Sequence, residues 1–141
     1  MRHDYNTGKK EDLAKYRIET AKEDLRSAKA LFEIPEYRGA NNRAYYAIYH
    51  IISAIHALDE VAYKRHKDTI ANFNKAYIKT EIFPRKIGRK IVEAAEIRHA
   101  SDYDDFYIAT KDEAQEQIET AEELIRLIEE YCINRISKCN K

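Results

Sequence analysis

The chain has 141 residues, of which 44% are hydrophobic and 35% charged, but only 3 are glycine and 2 are proline. This length favours one domain with its own core. The scarcity of glycine and proline excludes turn-rich β-sandwiches and glycine loops that bind phosphate. Lys and Arg total 25, as do Asp and Glu, and this balance excludes a protein that binds polyanions through bulk charge.

Hydrophobic periodicity predicts five helices and no strands. They run from about Lys9 to Glu33, Ala40 to Asp59, His66 to Lys79, Pro84 to Arg98, and from Thr110 onward. Pro35 and Gly39 are predicted to form the first turn, and Thr110 with Glu113 forms a capping box. Short connections favour antiparallel neighbours, so we expect an all-α, five-helix up-and-down bundle.

Each helix is predicted to turn an apolar stripe toward the core. The stripes include Leu13, Tyr16, Ala21, Leu25, Ala28, Leu31 and Phe32 in the first helix, Ile70, Phe73, Ala76 and Tyr77 in the third, and Ala114, Ile118, Ala121, Leu124, Ile125, Ile128 and Tyr131 in the fifth. The second helix is apolar on nearly every side and is predicted to be central. One small bundle is not expected to cover it fully, which favours a homodimer.

Location and charge give two further expectations. The polar start MRHDYNTGKKEDL lacks the apolar stretch of a signal peptide, the apolar segment 44–58 is too short to span a bilayer, and Cys132 and Cys139 form no CxxC motif. We therefore expect a cytoplasmic protein with reduced thiols and no membrane contact.

The charges are unevenly distributed along the chain: segment 63–98 has a net charge of +6 and segment 102–131 a net charge of −9. This pattern favours neighbouring helices that neutralise each other over local attraction of an anion.

Arg98 is the most informative residue of the fourth helix. It lies seven positions after Ile91 and four after Ala94, on the stripe predicted to face inward at the helix end. A guanidinium does not lose its proton, so burial requires an anionic or carbonyl partner. One interpretation is an ion pair with Asp102 that fixes the following loop. The other is a phosphate-binding arginine with Tyr103 beside it.

The second helix carries Arg43, Tyr46, Tyr49 and His50. Arg43 and His50 are two turns apart, about 10 Å along the axis, so we expect no direct pair between them. A histidine on an apolar helix is more often a hydrogen-bonded core residue than a catalyst, and the tyrosines are expected in the core with their hydroxyls at its rim.

Metal and cofactor sites are not expected. Glu96-x-x-His99 matches half of a carboxylate-bridged di-iron motif, but the second Glu-x-x-His is missing. Neither the cysteines nor the serines lie in a nucleophile motif.

Four stretches together carry a family resemblance: NNRAYYAIYHIISAIHAL, HKDTIANFNKAYIKT, IRHASDYDDF and EAQEQIETAEELI. The chain resembles the small stand-alone HEPN domains of bacteria and archaea over about residues 10–132. We therefore expect a single domain of residues 1–141 with polar ends. The resemblance implies a five-helix bundle that homodimerises. It also implies genetic pairing with a minimal nucleotidyltransferase, often as a toxin–antitoxin module.

Many HEPN proteins are metal-independent endoribonucleases whose motif is an arginine, a polar residue and, after four to six intervening positions, a histidine; two motifs meet across the dimer. The resemblance places Arg98 and His99 at the first two positions and Tyr103 where the histidine is expected. A phenol titrates about three to four pH units above an imidazole and is a poor base at neutral pH. Arg43-x6-His50 fits the spacing but lies on a different helix.

In some relatives the partner enzyme adds AMP to a tyrosine two positions beyond the motif histidine. Asp105 occupies that place here, with Tyr103 and Tyr107 nearby.

Three functions follow as hypotheses. The first is a toxin–antitoxin or defence protein that binds RNA or nucleotide at a dimer cleft lined by Arg98, His99, Asp102 and Tyr103. The second is a non-catalytic dimeric interaction module for a minimal nucleotidyltransferase. The third is a metal-independent endoribonuclease in which His99 or His50 replaces the missing base.

Overall fold

The computed structural model describes residues 2–139, with side chains described from residue 8 to residue 138. Its elements are α1 (Arg2–Glu33), α2 (Tyr37–Leu58), α3 (His66–Phe73), a π-helical turn (Asn74–Ile78), α4 (Arg85–Tyr103) and α5 (Lys111–Cys139). The described part of the chain contains no β-strand. The predicted all-α fold of five helices is therefore confirmed.

Helices α1 and α2 form an antiparallel hairpin. Arg17 donates to the carbonyl of Ser53 at 2.8 Å, and Leu31 lies against Gly39 near the chain reversal. A Cβ on Gly39 would lie only 3.2 Å from Cδ1 of Leu31. The sequence predicts Gly39 in the connection between the helices, but the structure places it within the first turn of α2. Its missing side chain lets α1 and α2 approach each other there.

Helix α5 runs antiparallel to both α1 and α4. The ion pairs that join them are Lys22–Glu129, Lys29–Glu122 and Lys90–Glu123, with N···O distances of 2.6, 2.7 and 3.1 Å. Along α1 and α5 the two pairs run in opposite order. The same holds for α4 and α5, because the Gln117 side chain donates to the carbonyl of Ala94 at 3.5 Å, so the later residue of α4 meets the earlier residue of α5. The pair between α4 and α5 agrees with the interpretation that the basic and acidic segments are neighbours.

Helix α2 lies at the centre of the core. Every residue from 51 to 58 is buried, as the prediction of a central helix requires. These side chains are covered within one chain, so the apolarity of α2 does not by itself call for a second copy. Homodimerisation remains a prediction.

The inward face of α1 differs from its predicted stripe. Leu13 and Tyr16 are 41% and 69% exposed. Four members of the predicted stripe do pack inward: Ala21 and Ala28 are buried, and Leu25 and Phe32 lie against the core. Ala14 and Ile18, which the prediction left out, are buried as well. Small residues every seven positions allow α1 to lie close against the core, whereas the larger side chains of Leu13 and Tyr16 lie at the surface.

The later helices depart from prediction at two places. The third predicted helix ends as an α-helix at Phe73 and continues as the π-helical turn. Gly88 of α4 packs against this turn, and a Cβ on Gly88 would lie 2.9 Å from Cγ2 of Ile78. Helix α4 continues to Tyr103, five residues beyond the predicted end.

The predicted cap of α5 is confirmed, since the Glu113 N–H donates to Oγ1 of Thr110 at 3.1 Å. The predicted stripe of α5 is buried from Ala114 to Ile128.

His56 on α2 couples the stability of the fold to pH. Its side chain is only 2% exposed, its ring packs against Tyr63, and its buried Nε2 finds no hydrogen-bond partner among residues 8–138. Burial lowers the pKa of His56; the charge of Arg17 lowers it further, and that of Asp59 raises it. The imidazole is therefore neutral in the folded protein at neutral pH.

Acidification below pH 6.5 is expected to destabilise the protein, because the unfolded chain takes up a proton at His56 that the folded chain resists. We expect His56→Leu to reduce the fall in melting temperature between pH 7 and pH 5. Thermal unfolding followed by circular dichroism measures this. His99→Leu, at an exposed position, is the control. An unchanged pH dependence in His56→Leu would contradict the assignment.

Candidate functional site

Arg98 turns toward the bundle, as its position on the stripe predicts. Its guanidinium carbon lies 5.1 and 5.3 Å from the ring centroids of Tyr45 and Tyr46 on α2. Nη2 donates to the hydroxyl of Tyr46 at 3.0 Å. The side chain remains 26% exposed, so the charge lies at the edge of the core and not within it.

Asp102 forms the predicted ion pair with Arg98, with 3.2 Å between Nε and Oδ2. Both residues belong to α4, so the pair stabilises the last turns of the helix and does not fix the following loop. Within residues 8–138, Nη1 of Arg98 has no hydrogen-bond partner. Nη1 therefore keeps both of its N–H donors for an anion.

His99 and Tyr103 form a second pair along α4, with 4.8 Å between ring centroids. Tyr103 is 73% exposed, and His99 lies at the edge of a shallow groove between α3 and α4 that Lys67 and Ile70 also line. Successive helical residues are rotated by about 100°, so this pair lies on a different side of α4 from Arg98 and Asp102. The four residues predicted to form one cleft are thus two adjacent pairs within a single chain.

Arg43 and His50 are joined through a carboxylate that the sequence reasoning missed. Asp24 on α1 is 7% exposed; its Oδ1 accepts from Nη1 of Arg43 at 3.0 Å, and its Oδ2 lies 2.6 Å from Nδ1 of His50. Arg43 also lies 4.9 Å from the ring centroid of Tyr46. The two residues do not pair directly, as expected, but they belong to one network.

His66, the first residue of α3, is the second residue that the sequence reasoning missed. Its ring stacks on Tyr49 with 4.0 Å between centroids, and its Nδ1 shares a hydrogen bond with the Tyr45 hydroxyl at 3.2 Å. Burial lowers the pKa of His66, and the nearby charges of Arg98 and His50 lower it further. His66 is therefore neutral at neutral pH.

These side chains form one group, which we call the aromatic–cationic cluster. It consists of Arg43, Tyr45, Tyr46, Tyr49, His50, His66 and Arg98, with Asp24 and Asp102 as its carboxylates. Burial raises the pKa of Tyr45 to about 12, so this phenol stays protonated. The cluster combines a guanidinium that can bind an anion, rings that can stack on a planar ligand, and imidazoles that can form hydrogen bonds.

Other candidates lie outside this cluster. Tyr107 follows α4, and its buried hydroxyl has no hydrogen-bond partner in the described chain. Asp105 is exposed. Cys132 is a buried free thiol, and its burial raises the pKa to about 12. The side chain of Cys139 lies outside the described residues.

Between residues 8 and 138, no three His, Cys, Asp or Glu side chains converge as metal ligands. None of the helices described is both long and apolar enough to cross a membrane.

The sequence of the chain is similar to a known domain family and to several known proteins. The sequence profile of the HEPN domain matches residues 14–131. A Methanocaldococcus jannaschii protein, named as a putative toxin, is 35% identical over 124 residues, which cover 88% of this chain and 86% of the relative. A second protein of that organism with the same description is 27% identical over 118 residues, covering 84% and 80%. A UPF0332 protein of Thermotoga maritima is 28% identical over 120 residues, covering 85% and 91%.

Proposed function

The chain belongs to the HEPN domain family, and from this premise we propose that it is a toxin-type HEPN protein that binds single-stranded RNA at the aromatic–cationic cluster. One observation carries the proposal. The guanidinium of Arg98 lies over Tyr45 and Tyr46, with Nη1 left without a partner in the described chain and the neutral imidazole of His66 nearby.

RNA suits this chemistry better than a simple anion does. A guanidinium binds phosphate oxygens through parallel hydrogen bonds, and aromatic rings stack on unpaired bases. Tyr46, Tyr49 and His66 remain half-buried, so part of each ring faces the outside of the bundle. The zero net charge argues against a long duplex, whose binding depends on many phosphate contacts. A short unpaired segment held at one local site fits both facts.

The toxin assignment and the partners rest on relatedness. Two relatives are named as putative toxins, and the HEPN resemblance implies a homodimer paired with a minimal nucleotidyltransferase. Tyr103, Phe106 and Ile108 lie at or just after the end of α4 and are 73%, 92% and 80% exposed. Large exposed side chains of this kind support a contact with another chain at the end of α4.

A non-catalytic interaction module is the second candidate. Two observations favour it: Tyr103 stands where the family motif has histidine, and Arg98 already contacts Tyr46 and Asp102. In that case Arg98 holds α4 against α2 and has no ligand. Its loss would then lower the melting temperature without changing affinity for RNA.

Replacing Arg98 by alanine tests the proposal. We expect the dissociation constant for a labelled 12-nucleotide single-stranded RNA to rise about 10- to 100-fold, because a hydrogen-bonded charge is lost. Arg98→Lys should recover part of the affinity, since it keeps the charge but not the planar donors. Fluorescence anisotropy at one fixed salt concentration measures both.

Arg126→Ala is the matched control, because it removes the same charge from an exposed position on α5. Circular dichroism establishes that each variant is folded. If folded Arg98→Ala binds RNA as tightly as Arg126→Ala does, the cluster is not the RNA site and the interaction module is favoured.

A further inference from the structure

We infer that the groove between α3 and α4 binds a guanine base of the RNA whose phosphate is held by Arg98. The inference rests on the proposed function and adds to it a preferred base. The groove, which we call the α3–α4 groove, is lined by Lys67, Ile70, Val92, Ala95, Glu96, His99 and Ala100.

The α3–α4 groove begins next to the aromatic–cationic cluster. Lys67 directly follows His66 along α3, and His99 directly follows Arg98 along α4. The His66 ring centroid and the guanidinium carbon of Arg98 lie 5.9 and 5.3 Å from the ring centroid of Tyr46, so α3 and α4 come together at this ring. An RNA strand with one phosphate on Arg98 therefore has a neighbouring base within reach of the groove.

The walls of the groove suit the flat faces of a base. Its volume is about 350 Å³, which lies in the range of sites that bind small ligands. Ile70 is 7% exposed and forms a fixed wall on α3, and Val92, which is 42% exposed, lies on the α4 side. Apolar side chains of this kind bind the faces of an unstacked base. The groove is shallow, so the polar edge of such a base stays close to the rim and to the charges there.

Glu96 and Lys67 are the charged residues at the rim. Glu96 belongs to α4 and Lys67 to α3, and both are exposed. Within residues 8–138, neither side chain takes part in an ion pair or in a hydrogen bond. The carboxylate supplies two acceptor oxygens and the ammonium supplies only donors. Both groups are therefore available to the edge of a base in the groove.

Guanine is the base whose edge matches this pair of charges. Its N1–H and N2–H₂ groups are adjacent donors, and O6 beside them is an acceptor. The two oxygens of Glu96 can accept from both donors at once, and Lys67 can donate to O6. Adenine and cytosine place an acceptor beside the amino group, and uracil has one donor between two acceptors. Each of these bases would direct an acceptor at the carboxylate, which is repulsive.

The charge of Glu96 also works against RNA that lacks guanine. A carboxylate near phosphate groups repels them unless donors on the ligand offset the repulsion. RNA without guanine keeps this repulsion, so the same residue favours one base and disfavours the others.

Single-stranded RNAs that differ at one position test the inference. The probes are 12-nucleotide uridine RNAs with guanosine, adenosine or inosine at the centre, and fluorescence anisotropy at one fixed salt concentration gives their dissociation constants. We expect the native chain to bind the guanosine RNA about 10-fold more tightly than the adenosine RNA, or better. Inosine lacks the N2 amino group, so its RNA should fall between the two.

Glu96→Gln should remove the preference, because an amide offers one acceptor and one kind of donor in place of two acceptors. Glu93→Gln is the matched control: it removes the same charge from an exposed position three residues earlier on α4 and should keep the preference. Val92→Phe fills the groove without changing the charge and should also remove the preference. Arg98→Ala should weaken the binding of all three RNAs by a similar factor.

Two results would overturn the inference and leave the proposed RNA binding standing. One is equal affinity of the native chain for the guanosine and adenosine RNAs. The other is a preference for guanosine that persists in Glu96→Gln, whose exposed position keeps the packing of the bundle unchanged and whose folding circular dichroism establishes. Failure of the native chain to bind any of these RNAs would instead refute the proposed function.

Discussion

Replacing Ile51 by alanine is expected to lower the free energy of unfolding by about 2–5 kcal/mol, through lost burial and the cavity left behind. Ile51 has no exposed surface and lies on α2, the helix that α1, α4 and α5 enclose. A close-packed interior relaxes only partly around such a cavity. Urea unfolding followed by circular dichroism measures the loss.

Ile133→Ala is the matched control for Ile51→Ala. It deletes the same atoms from α5 at a position that is 52% exposed, so its cost should be less than about 1 kcal/mol. Equal losses in the two variants would contradict the assignment of α2 as the centre of the core.

The same helix supports the core and the site. Tyr45, Tyr46, Tyr49 and His50 follow one another at spacings of one, three and one, which places them on neighbouring parts of one helical surface. Ile51 and Ile52 turn to the interior. The close packing of α2 thus fixes the rings that Arg98 and His66 contact, as a preorganised site requires.

The fold was predictable where large apolar residues repeat at helical spacing. The stripe of α5 from Ala114 to Ile128 and its cap at Thr110 are confirmed. The prediction was wrong near the start of α1, since Ala14 is buried while Leu13 and Tyr16 are exposed; Ala21, which belongs to the predicted stripe, is buried as expected. A stripe of small residues carries little hydrophobic signal, yet it decides how closely two helices approach.

The end of α4 shows a different limit. Ser101 and Asp102 are residues that favour caps and turns, so the sequence predicts a loop there. Asp102 instead pairs with Arg98 one turn earlier, and Arg38 of α2 donates to the carbonyl of Ser101. Tertiary contacts therefore extend the helix beyond the point that local preference indicates.

The candidate site was predictable in part. Arg98 is evident because a charge interrupts an apolar stripe. Asp24 carries the same signal, three positions after Ala21 and four before Ala28, although the sequence analysis does not include it. His66 carries no periodic signal, because it opens a short helix after a loop. Its contacts with Tyr49 and Tyr45 depend on how α3 docks on α2, which only the three-dimensional structure shows.

Expression of the chain alone in a bacterial host is expected to arrest growth, and Arg98→Ala is expected to restore growth to that of cells carrying an empty vector. The reason is that a guanidinium beside a phosphate is the contact that any RNA-directed toxicity of this cluster requires. Growth curves after induction measure the effect, and immunoblots establish equal amounts of each variant. Co-expression of a nucleotidyltransferase encoded by an adjacent gene should relieve the arrest by the native chain.

A matched variant separates a specific role of Arg98 from a general effect of lost positive charge in the same cells. Arg126→Ala removes the same charge from an exposed position on α5 and should arrest growth as the native chain does. Arrest by Arg98→Ala at native strength would contradict the proposed site, because the toxicity would then not depend on the guanidinium that is expected to bind the phosphate.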